Sequence, residues 1–360
     1  MKYRFYKSLL FICLSAIIIF TFTSCKFINK LAGNDGTYNE GLFNNNNYSI
    51  NESSPVFETY ERVGNKFYFG RYPQTKVEAT KKNKLKSIKF DSSWISYNYY
   101  LPYVENGDVK SFQTDYMFYK DVDTNKDGIY DYRGVYFTEY RYDYCLSRYN
   151  YHQEDNGYLK NNIYWFSYDL IEWDILEETN SNLLINSNLI LDCQEFYPSN
   201  STSIFYHNGG YGYANNYELS NIRRFINNNF YDSAFNFTQK SYIKTTEVDN
   251  SLESTGYDEL AELECNNTFD KMFLLSNKEA EEYYAYDEFP KDGTDYAICQ
   301  GLFIKENKDR LLKSSWWLRS PSKFIVLSDC NGAINPNKYL DQKSVDFING
   351  VSPACWINII

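Results

Sequence analysis

The sequence predicts an α+β fold of many short strands and a few helices. Several short segments alternate aromatic with other side chains, which is the two-residue period of a strand with one buried face. Two later segments begin with helix-capping residues, and one of them carries apolar residues at three- and four-residue steps. A few helices among many short strands make an α+β domain.

The first 24 residues have the order of a secretory signal peptide. Three basic residues precede a 14-residue apolar run from Leu9 to Phe22, which is too short for a comfortable membrane span. Cys25 follows Phe22-Thr23-Ser24 and resembles the acylated cysteine of a bacterial lipobox, although an aliphatic residue is usual in place of Phe22. We therefore expect export to the cell envelope and a lipid anchor on Cys25 that attaches the protein to a membrane. An ordinary signal peptide or short anchor is the alternative.

Residues 25 to 60 are predicted to form a flexible tether, and residues 61 to 360 a single domain. The tether is polar and contains the run Asn44 to Asn47, which is typical of a segment that packs no core. No linker interrupts the rest of the chain, which is long enough for one large domain.

The first strand is expected at Lys66 to Thr75, where aromatic residues alternate and Pro73 is expected to close the strand. Further aromatic, strand-prone segments are Tyr97 to Tyr103, Gly134 to Tyr142 and Tyr164 to Leu176.

A candidate calcium loop lies between two of these segments. Asp123, Asn125 and Asp127 place oxygen ligands at alternate positions before a glycine, and Asp131 follows, as a calcium loop requires. The twelfth position of such a loop is Gly134 here, where a bidentate glutamate is usual. A hairpin turn held by local Asp and Asn hydrogen bonds explains the same residues, so both interpretations stay open.

Two helices are predicted from their start signals. Ser276 and Glu279 form a capping box that begins a helix running to Tyr286. Ser220 can cap an earlier helix whose apolar face contains Ile222, Phe225, Ile226 and Phe230.

The stretch from Ser314 to Pro321 is predicted to be a core strand that pairs or packs with the ending Gly350 to Ile357. Strand alternation places Trp317 and Arg319 on the face opposite Trp316. If Trp316 fills the core, Trp317 and Arg319 form an aromatic surface beside a positive charge, which suits stacking on a sugar ring.

Another role for Arg319 is purely structural. In that interpretation its guanidinium is buried against an acid such as Glu172 or Asp346 and orders the core.

The motifs together resemble an uncharacterised bacterial and phage domain family. Its hallmarks are an FGxYPQ entry, an IxWRVL strand, a WWLRSP strand and a GVRPAxWI ending. The matching segments here are Phe69 to Thr75, Ile171 to Leu176, Ser220 to Arg223, Phe273 to Ser276, Trp316 to Pro321 and Gly350 to Ile357.

This resemblance implies no assigned activity. The ending is similar to that of C-type-lectin-like folds, including the formylglycine-generating-enzyme group, so a C-type-lectin-like mixed domain is the expected architecture, and fold analogy does not transmit function. Asp174 and Ser352 stand where the family usually has arginine.

Composition excludes several classes of partner and site. The net charge of -11 argues against nucleic acid or an anionic membrane surface as the main partner. The only histidines, His152 and His207, sit in no zinc or hydrolase motif, so structural roles are expected. Six cysteines follow Cys25 without any closely spaced pair, which argues against zinc and leaves either disulfides, of which we expect at least one, or free buried thiols.

The sequence thus favours a surface-anchored, non-catalytic, lectin-like module that binds an extracellular glycan or protein. An envelope enzyme such as a carboxylate-based glycan hydrolase is the alternative, because 47 Asp and Glu residues leave room for a catalytic pair. A purely structural envelope protein is the third possibility.

Overall fold

The computed structural model describes residues 60–78, 83–105, 108–141, 152–197, 205–207, 210–212, 214–255, 265–285, 291–304, 313–324, 327–335 and 339–359. The predicted signal peptide, Cys25 and almost all of the tether lie outside these ranges, so their predictions stay open. Within these ranges, no helix has the length and apolar character needed to cross a membrane.

The strands, numbered in chain order, are β1 (Glu61–Val63), β2 (Lys66–Val77), β3 (Ile95–Glu105), β4 (Asp108–Val122), β5 (Tyr132–Phe137), β6 (Ile163–Glu178), β7 (Asn182–Ser187), β8 (Asp192–Glu195), β9 (Phe205–His207), β10 (Gly210–Gly212), β11 (Thr246–Val248), β12 (Thr268–Asp270), β13 (Lys291–Asp292), β14 (Lys313–Ser314), β15 (Trp316–Phe324), β16 (Leu327–Asn335), β17 (Tyr339–Ser344), β18 (Ile348–Val351) and β19 (Ala354–Asn358).

The helices are all short: α1 (Asn83–Lys86), α2 (His152–Asp155), α3 (Asn221–Phe225), α4 (Tyr231–Ala234), α5 (Phe237–Tyr242), α6 (Leu252–Thr255), α7 (Asn277–Tyr283) and α8 (Asp295–Cys299). A π-helical turn, Ile226–Phe230, joins α3 to α4. Strand outweighs helix by 42 % to 21 %, which agrees with the predicted α+β class at this coarse level.

The larger sheet has eight strands and curls into a half-barrel. Its central member is β6, which pairs along one edge with β2 and along the other edge first with β5 and then with β7. Beyond β5 follow β4 and β3, and beyond β7 follows β19. All these pairings are antiparallel.

The second sheet has the order β17-β16-β15-β18-β8. Its strands β15 and β18 run parallel and meet at Trp316 and Gly350. A Cβ at Gly350 would lie 2.6 Å from the main-chain oxygen of Ser315, so only glycine permits this approach. The predicted pairing of the tryptophan stretch with the chain ending is confirmed.

The chain crosses from the second sheet to the first at Ser352-Pro353, between β18 and β19. The Nδ2 group of Asn186, in β7, donates to the main-chain oxygens of Ser352 and Pro353 at 3.1 and 3.0 Å. We call Ser352-Pro353 the crossover, because this corner joins the two sheets.

Both sheets contribute to one large hydrophobic core, in which Trp173, Trp316 and Trp317 are completely buried. A smaller cluster of Leu85, Trp94 and Trp165 packs on the other side of the large sheet. The inner face of β5, which contains Val135 and Phe137, belongs to the large core.

The two predicted helix starts are confirmed. The Ser220 hydroxyl accepts a hydrogen bond from the backbone N–H of Arg223 and caps α3, and the apolar face predicted for this segment is buried. The Ser276 and Glu279 capping box begins α7, which ends at Tyr283 and thus earlier than predicted.

Pro73 does not close its strand, contrary to the prediction. The strand β2 continues to Val77. The neighbouring strand β1 pairs only with Lys66 to Tyr68 and does not reach Pro73. At Pro73 the strand has a partner on one side only, so the missing proline N–H removes no bond to a second strand.

Candidate functional site

Trp317 does not form the exposed aromatic surface considered in the sequence analysis. Its ring has 0 % exposure, packs edge-on against Phe196, and donates from Nε1 to the main-chain oxygen of Gln194 at 2.8 Å. Trp316 and Leu318 are also fully buried. Both faces of this part of β15 are therefore covered, and no sugar ring can stack on Trp317 in this arrangement.

Arg319 is buried with 1 % exposure, as the structural alternative expected, but its partner is neither Glu172 nor Asp346. Both of its terminal nitrogens donate to the carboxylate of Glu279, the residue of the α7 capping box. They also donate to the main-chain oxygens of Leu274 and Asp249 at 2.8 and 3.2 Å. Arg319 thus orders the start of α7 and does not present its charge to solvent.

The predicted calcium residues form the turn between β4 and β5. The carboxylate of Asp123 accepts from the backbone N–H groups of Lys126 and Gly128 at 2.6 and 2.9 Å. The left-handed backbone of these two residues, with φ of 65° and 90°, gives the turn its shape.

The other residues of this turn are engaged in the same way. Asn125 accepts from the N–H of Asp127 at 3.1 Å, and Asp127 accepts from the N–H of Ile129 at 2.9 Å. Asp131 accepts from the N–H of Thr124 at 2.7 Å. Across the described part of the chain, no group of three or more His, Cys, Asp or Glu side chains is arranged to hold a metal ion. These contacts favour the hairpin-turn interpretation, and calcium binding stays a prediction.

Four of the six late cysteines are buried free thiols: Cys193, Cys265, Cys299 and Cys355. Burial raises the pKa of the Cys299 and Cys355 thiols, so neither forms a reactive thiolate near neutral pH. The side chains of Cys145 and Cys330 lie outside the described residues. His152 is buried at the start of α2, and the side chain of His207 is not described.

A polar cluster that the sequence analysis missed lies on the core-facing side of the large sheet. Arg133, on β5, is 7 % exposed and binds the carboxylate of Asp121, on β4, through Nε and Nη2 at 2.7 and 2.8 Å. The two residues are direct cross-strand partners. Four tyrosine rings lie 4.5 to 6.0 Å from the guanidinium: Tyr72, Tyr119, Tyr168 and Tyr296.

We call these residues, with Tyr97, the tyrosine cluster. Strand alternation builds it, because Tyr119 and Asp121 are two residues apart on β4 and therefore face the same side. Tyr72 and Tyr168 come from β2 and β6, and Tyr296 comes from α8, which packs against the sheet.

The tyrosine hydroxyls form hydrogen bonds within the cluster and around it. Those of Tyr97 and Tyr296 lie 3.0 Å apart, and the Tyr72 hydroxyl donates to the buried carboxylate of Asp192 at 2.6 Å. Burial raises the pKa of Tyr72, Tyr97 and Tyr168 well above the ordinary value, so these phenols stay protonated. Burial also raises the pKa of Asp192.

One donor of Arg133 is poorly satisfied. Its Nη2 contacts Asp121 and also Ser233 at 3.3 Å, whereas the contact found for Nη1 within the described chain is Tyr296 OH at 3.5 Å. That distance is too long for a good hydrogen bond. The half-buried ring of Tyr119 lies beside the guanidinium, and the half-buried ring of Tyr97 lies 5.0 Å from that of Tyr119. The cluster therefore places one incompletely bonded donor of a buried guanidinium next to aromatic rings.

A second polar cluster surrounds Lys291 at the crossover. Its Nζ atom contacts the Asn186 Oδ1 and Ser187 main-chain oxygens of β7, the hydroxyl of Tyr284 at 3.2 Å and the hydroxyl of Ser352 at 2.9 Å. The rings of Tyr284 and Trp316 lie 4.9 and 4.8 Å from the same atom. We call this set the crossover network.

The crossover network extends outward to the surface. Tyr284 OH lies 3.5 Å from Asp174 Oδ2, and Lys66 binds Asp174 and Glu172 at 2.6 and 3.0 Å. Asp174 and Ser352, the two departures from the arginines of the family motifs, thus belong to one connected network. Lys291 and Lys66 are the cations found beside them.

The comparisons with known proteins identify a family and no function. A model of a domain of unknown function, DUF6273, matches residues 180–359, which include the tryptophan stretch and the chain ending. The FGRYPQT and IEWDIL segments precede that match. No curated protein and no solved structure matches the chain. On the evidence of this match over half of its length, the chain belongs to the DUF6273 family of domains of unknown function.

Proposed function

We propose that this protein is an exported, lipid-anchored module that binds an extracellular glycan at the tyrosine cluster without transforming it. The observation that carries the proposal is the buried Arg133 guanidinium. Its Nη1 has one long contact in the described chain, the Tyr296 hydroxyl at 3.5 Å. Leaving a buried charged donor poorly satisfied is costly, and a ligand oxygen would satisfy it.

The surroundings of Arg133 suit a sugar. Saccharides bind through hydroxyl hydrogen bonds and through contact of their C–H faces with aromatic rings, and the cluster provides both kinds of group. Tyr97 and Tyr119 supply half-buried rings, and the phenol hydroxyls stay protonated and therefore act as donors or acceptors.

The carboxylates near the cluster support binding over hydrolysis. Asp121 binds Arg133 through both oxygens, and Asp192 accepts from Tyr72, from the N–H of Cys193 and from Gln194. A glycosidase needs two carboxyl groups that face the scissile bond, one of them as a proton donor. Burial raises the pKa of Asp192, as a proton donor requires, but the oxygens of both carboxylates are occupied by donors of the protein.

The second candidate function, a carboxylate-based glycan hydrolase, has one specific observation in its favour. Glu172 and Asp174 lie two residues apart on β6 and share Lys66. Burial acts to raise the pKa of Glu172, but hydrogen bonding and charge from Lys66 leave it lowered. A general acid needs a raised pKa, so this pair fits an ionic surface cluster better than a catalytic dyad.

The binding proposal is tested with a panel of purified cell-wall and host glycans. Tyr119→Leu removes an aromatic ring beside Arg133, and Tyr136→Leu is the matched control, because Tyr136 is also half-buried but packs on the other side of the large sheet. We expect Tyr119→Leu to weaken binding by about tenfold and Tyr136→Leu to leave it unchanged. Equal losses in both variants, no binding by the wild type, or cleavage of a bound glycan would each contradict the proposal.

The anchor is tested separately. Replacing Cys25 by Ala should abolish incorporation of labelled palmitate and release the protein from membranes, since the thiol is the acylated group. Unchanged labelling would show that the lipid-anchor part of the proposal is wrong.

A further inference from the structure

Lys291 differs from the other buried cations of the described chain in its partners. The buried arginines Arg133, Arg141, Arg223 and Arg319 each bind a carboxylate directly. Lys291 is 4 % exposed and contacts amide, carbonyl and hydroxyl oxygens, all of them neutral. An ammonium buried without a carboxylate at hydrogen-bond distance loses hydration that neutral dipoles replace only in part.

We propose that Lys291 is a proton-linked switch that sets the stability of the crossover between the two sheets. As an ammonium it donates to Asn186, Ser187 and Ser352, and so it ties β7 to the corner between β18 and β19. As a neutral amine it keeps two donors and gains a lone pair, which can accept from the hydroxyl of Ser352 or Tyr284.

Tyr284 and Asp174 lie between Lys291 and the surface. Tyr284 OH lies 3.2 Å from Lys291 Nζ and 3.5 Å from Asp174 Oδ2. Asp174 in turn binds Lys66, whose side chain is 38 % exposed. The Tyr284 hydroxyl donates to Asn186 Oδ1 at 2.8 Å, and 3.5 Å is too long for a good hydrogen bond to Asp174. Proton exchange along this path therefore requires the Tyr284 hydroxyl to turn toward Asp174.

The charged groups around Lys291 have opposite effects on its pKa. From β6, Asp174 acts to raise its pKa, and from β2, Lys66 acts to lower it. Glu172 neutralises part of the Lys66 charge, and Tyr284 at the end of α7 contributes a phenol. Burial is the largest effect and lowers the pKa of Lys291 to about 7.

The sign of the pH dependence follows from linkage. The pKa of an unfolded lysine is about 10.4, so between about pH 7 and pH 10 the folded chain binds fewer protons at this site than the unfolded chain. Stability due to Lys291 therefore rises with pH across that window. Below about pH 7 the cost of burying the ammonium is fully present.

The test compares urea unfolding of the wild type and of Lys291→Met from pH 6 to pH 9.5 under reducing conditions. Only the difference between the two proteins is informative, because buried thiols such as Cys299 and Cys355 have raised pKa values and give the opposite slope above about pH 8.5. The ratio of the wild-type folding equilibrium constant to that of Lys291→Met should increase about tenfold from pH 8 to pH 9. Lys240→Met, which removes a lysine from a surface ion pair with Asp232, is the control. Its curve of unfolding free energy against pH should be parallel to that of the wild type.

A direct measurement keeps the proposal testable if Lys291→Met does not fold. In protein labelled with ¹³C at lysine Cε, one resonance should titrate near pH 7, and Tyr284→Phe should move its midpoint lower because the ammonium loses an acceptor. Titration of every lysine above pH 9, or parallel stability curves for the wild type and Lys291→Met, would overturn the proposal.

Discussion

Arg319 and Arg133 are both buried guanidinium groups held by one carboxylate, and they differ in what surrounds the rest of the side chain. Arg319 meets two main-chain carbonyls besides Glu279. Arg133 meets tyrosine rings, the Ser233 hydroxyl and a distant Tyr296 hydroxyl. The first arrangement fixes the backbone at the start of α7, although Arg319 Nε has no hydrogen-bond partner in the described chain. The second leaves Nη1 incompletely bonded beside aromatic rings.

The comparison shows that the residue type alone does not identify a ligand site. An arginine bonded to backbone oxygens can be replaced only at a cost to the fold. An arginine that faces hydroxyls and rings can lose a donor and still keep its carboxylate partner, so the loss of that donor should appear in ligand binding as well as in stability.

The largest expected effect is that of Arg319→Met. The change leaves two main-chain oxygens without the guanidinium and leaves the Glu279 carboxylate with the backbone N–H of Ser276 but without its cation. The free energy of unfolding should therefore fall by about 3 to 5 kcal/mol. Urea denaturation measures this. Arg62→Met is the matched control, because it removes an equally bidentate but exposed pair with Glu178 and should leave the midpoint unchanged. Similar urea midpoints for both variants would show that Arg319 does not stabilise the fold through Glu279.

A smaller loss of stability is expected for Arg133→Lys. Lysine keeps the charge beside Asp121 but replaces the two-pronged contact by a single one and removes Nη1, so we expect a loss of about 1 to 3 kcal/mol. Glycan affinity should fall by at least about tenfold in the same variant. Full affinity with reduced stability would make Arg133 a structural residue like Arg319.

Local signals explain the part of the fold that the sequence predicted. Capping by Ser220 and by Ser276 with Glu279 depends on residues three positions apart, and the alternation of β2 needs only its own side chains. Such patterns are visible without knowledge of the tertiary structure.

The sites were missed because their contacts are distant in sequence. Arg319, on β15, binds Glu279, on α7, although the two residues are 40 positions apart. Lys291 contacts Ser352 only because the chain crosses between the two sheets at that residue. Asp121 and Arg133 flank the turn that was considered for calcium, and their pairing could have been predicted from a hairpin register centred on that turn.

No effect is expected from calcium if the turn between β4 and β5 is held by its own hydrogen bonds. The carboxylates of Asp123 and Asp127 already accept backbone N–H groups, so the melting temperature should be equal in excess calcium and in chelator. A calcium ion bound only by the folded chain would instead add about 2.7 kcal/mol at a hundred times its dissociation constant. Such a rise, lost in Asp123→Asn, would show that the turn is a metal site.

The most direct test of the account is a structure of the protein with a glycan from the binding panel. We expect a sugar oxygen within about 3 Å of Arg133 Nη1 and a sugar ring against Tyr119 or Tyr97, with Trp317 still buried. A glycan bound elsewhere, for example on the outer aromatic cluster around Trp94 and Trp165, with the Arg133 to Tyr296 distance unchanged, would contradict it.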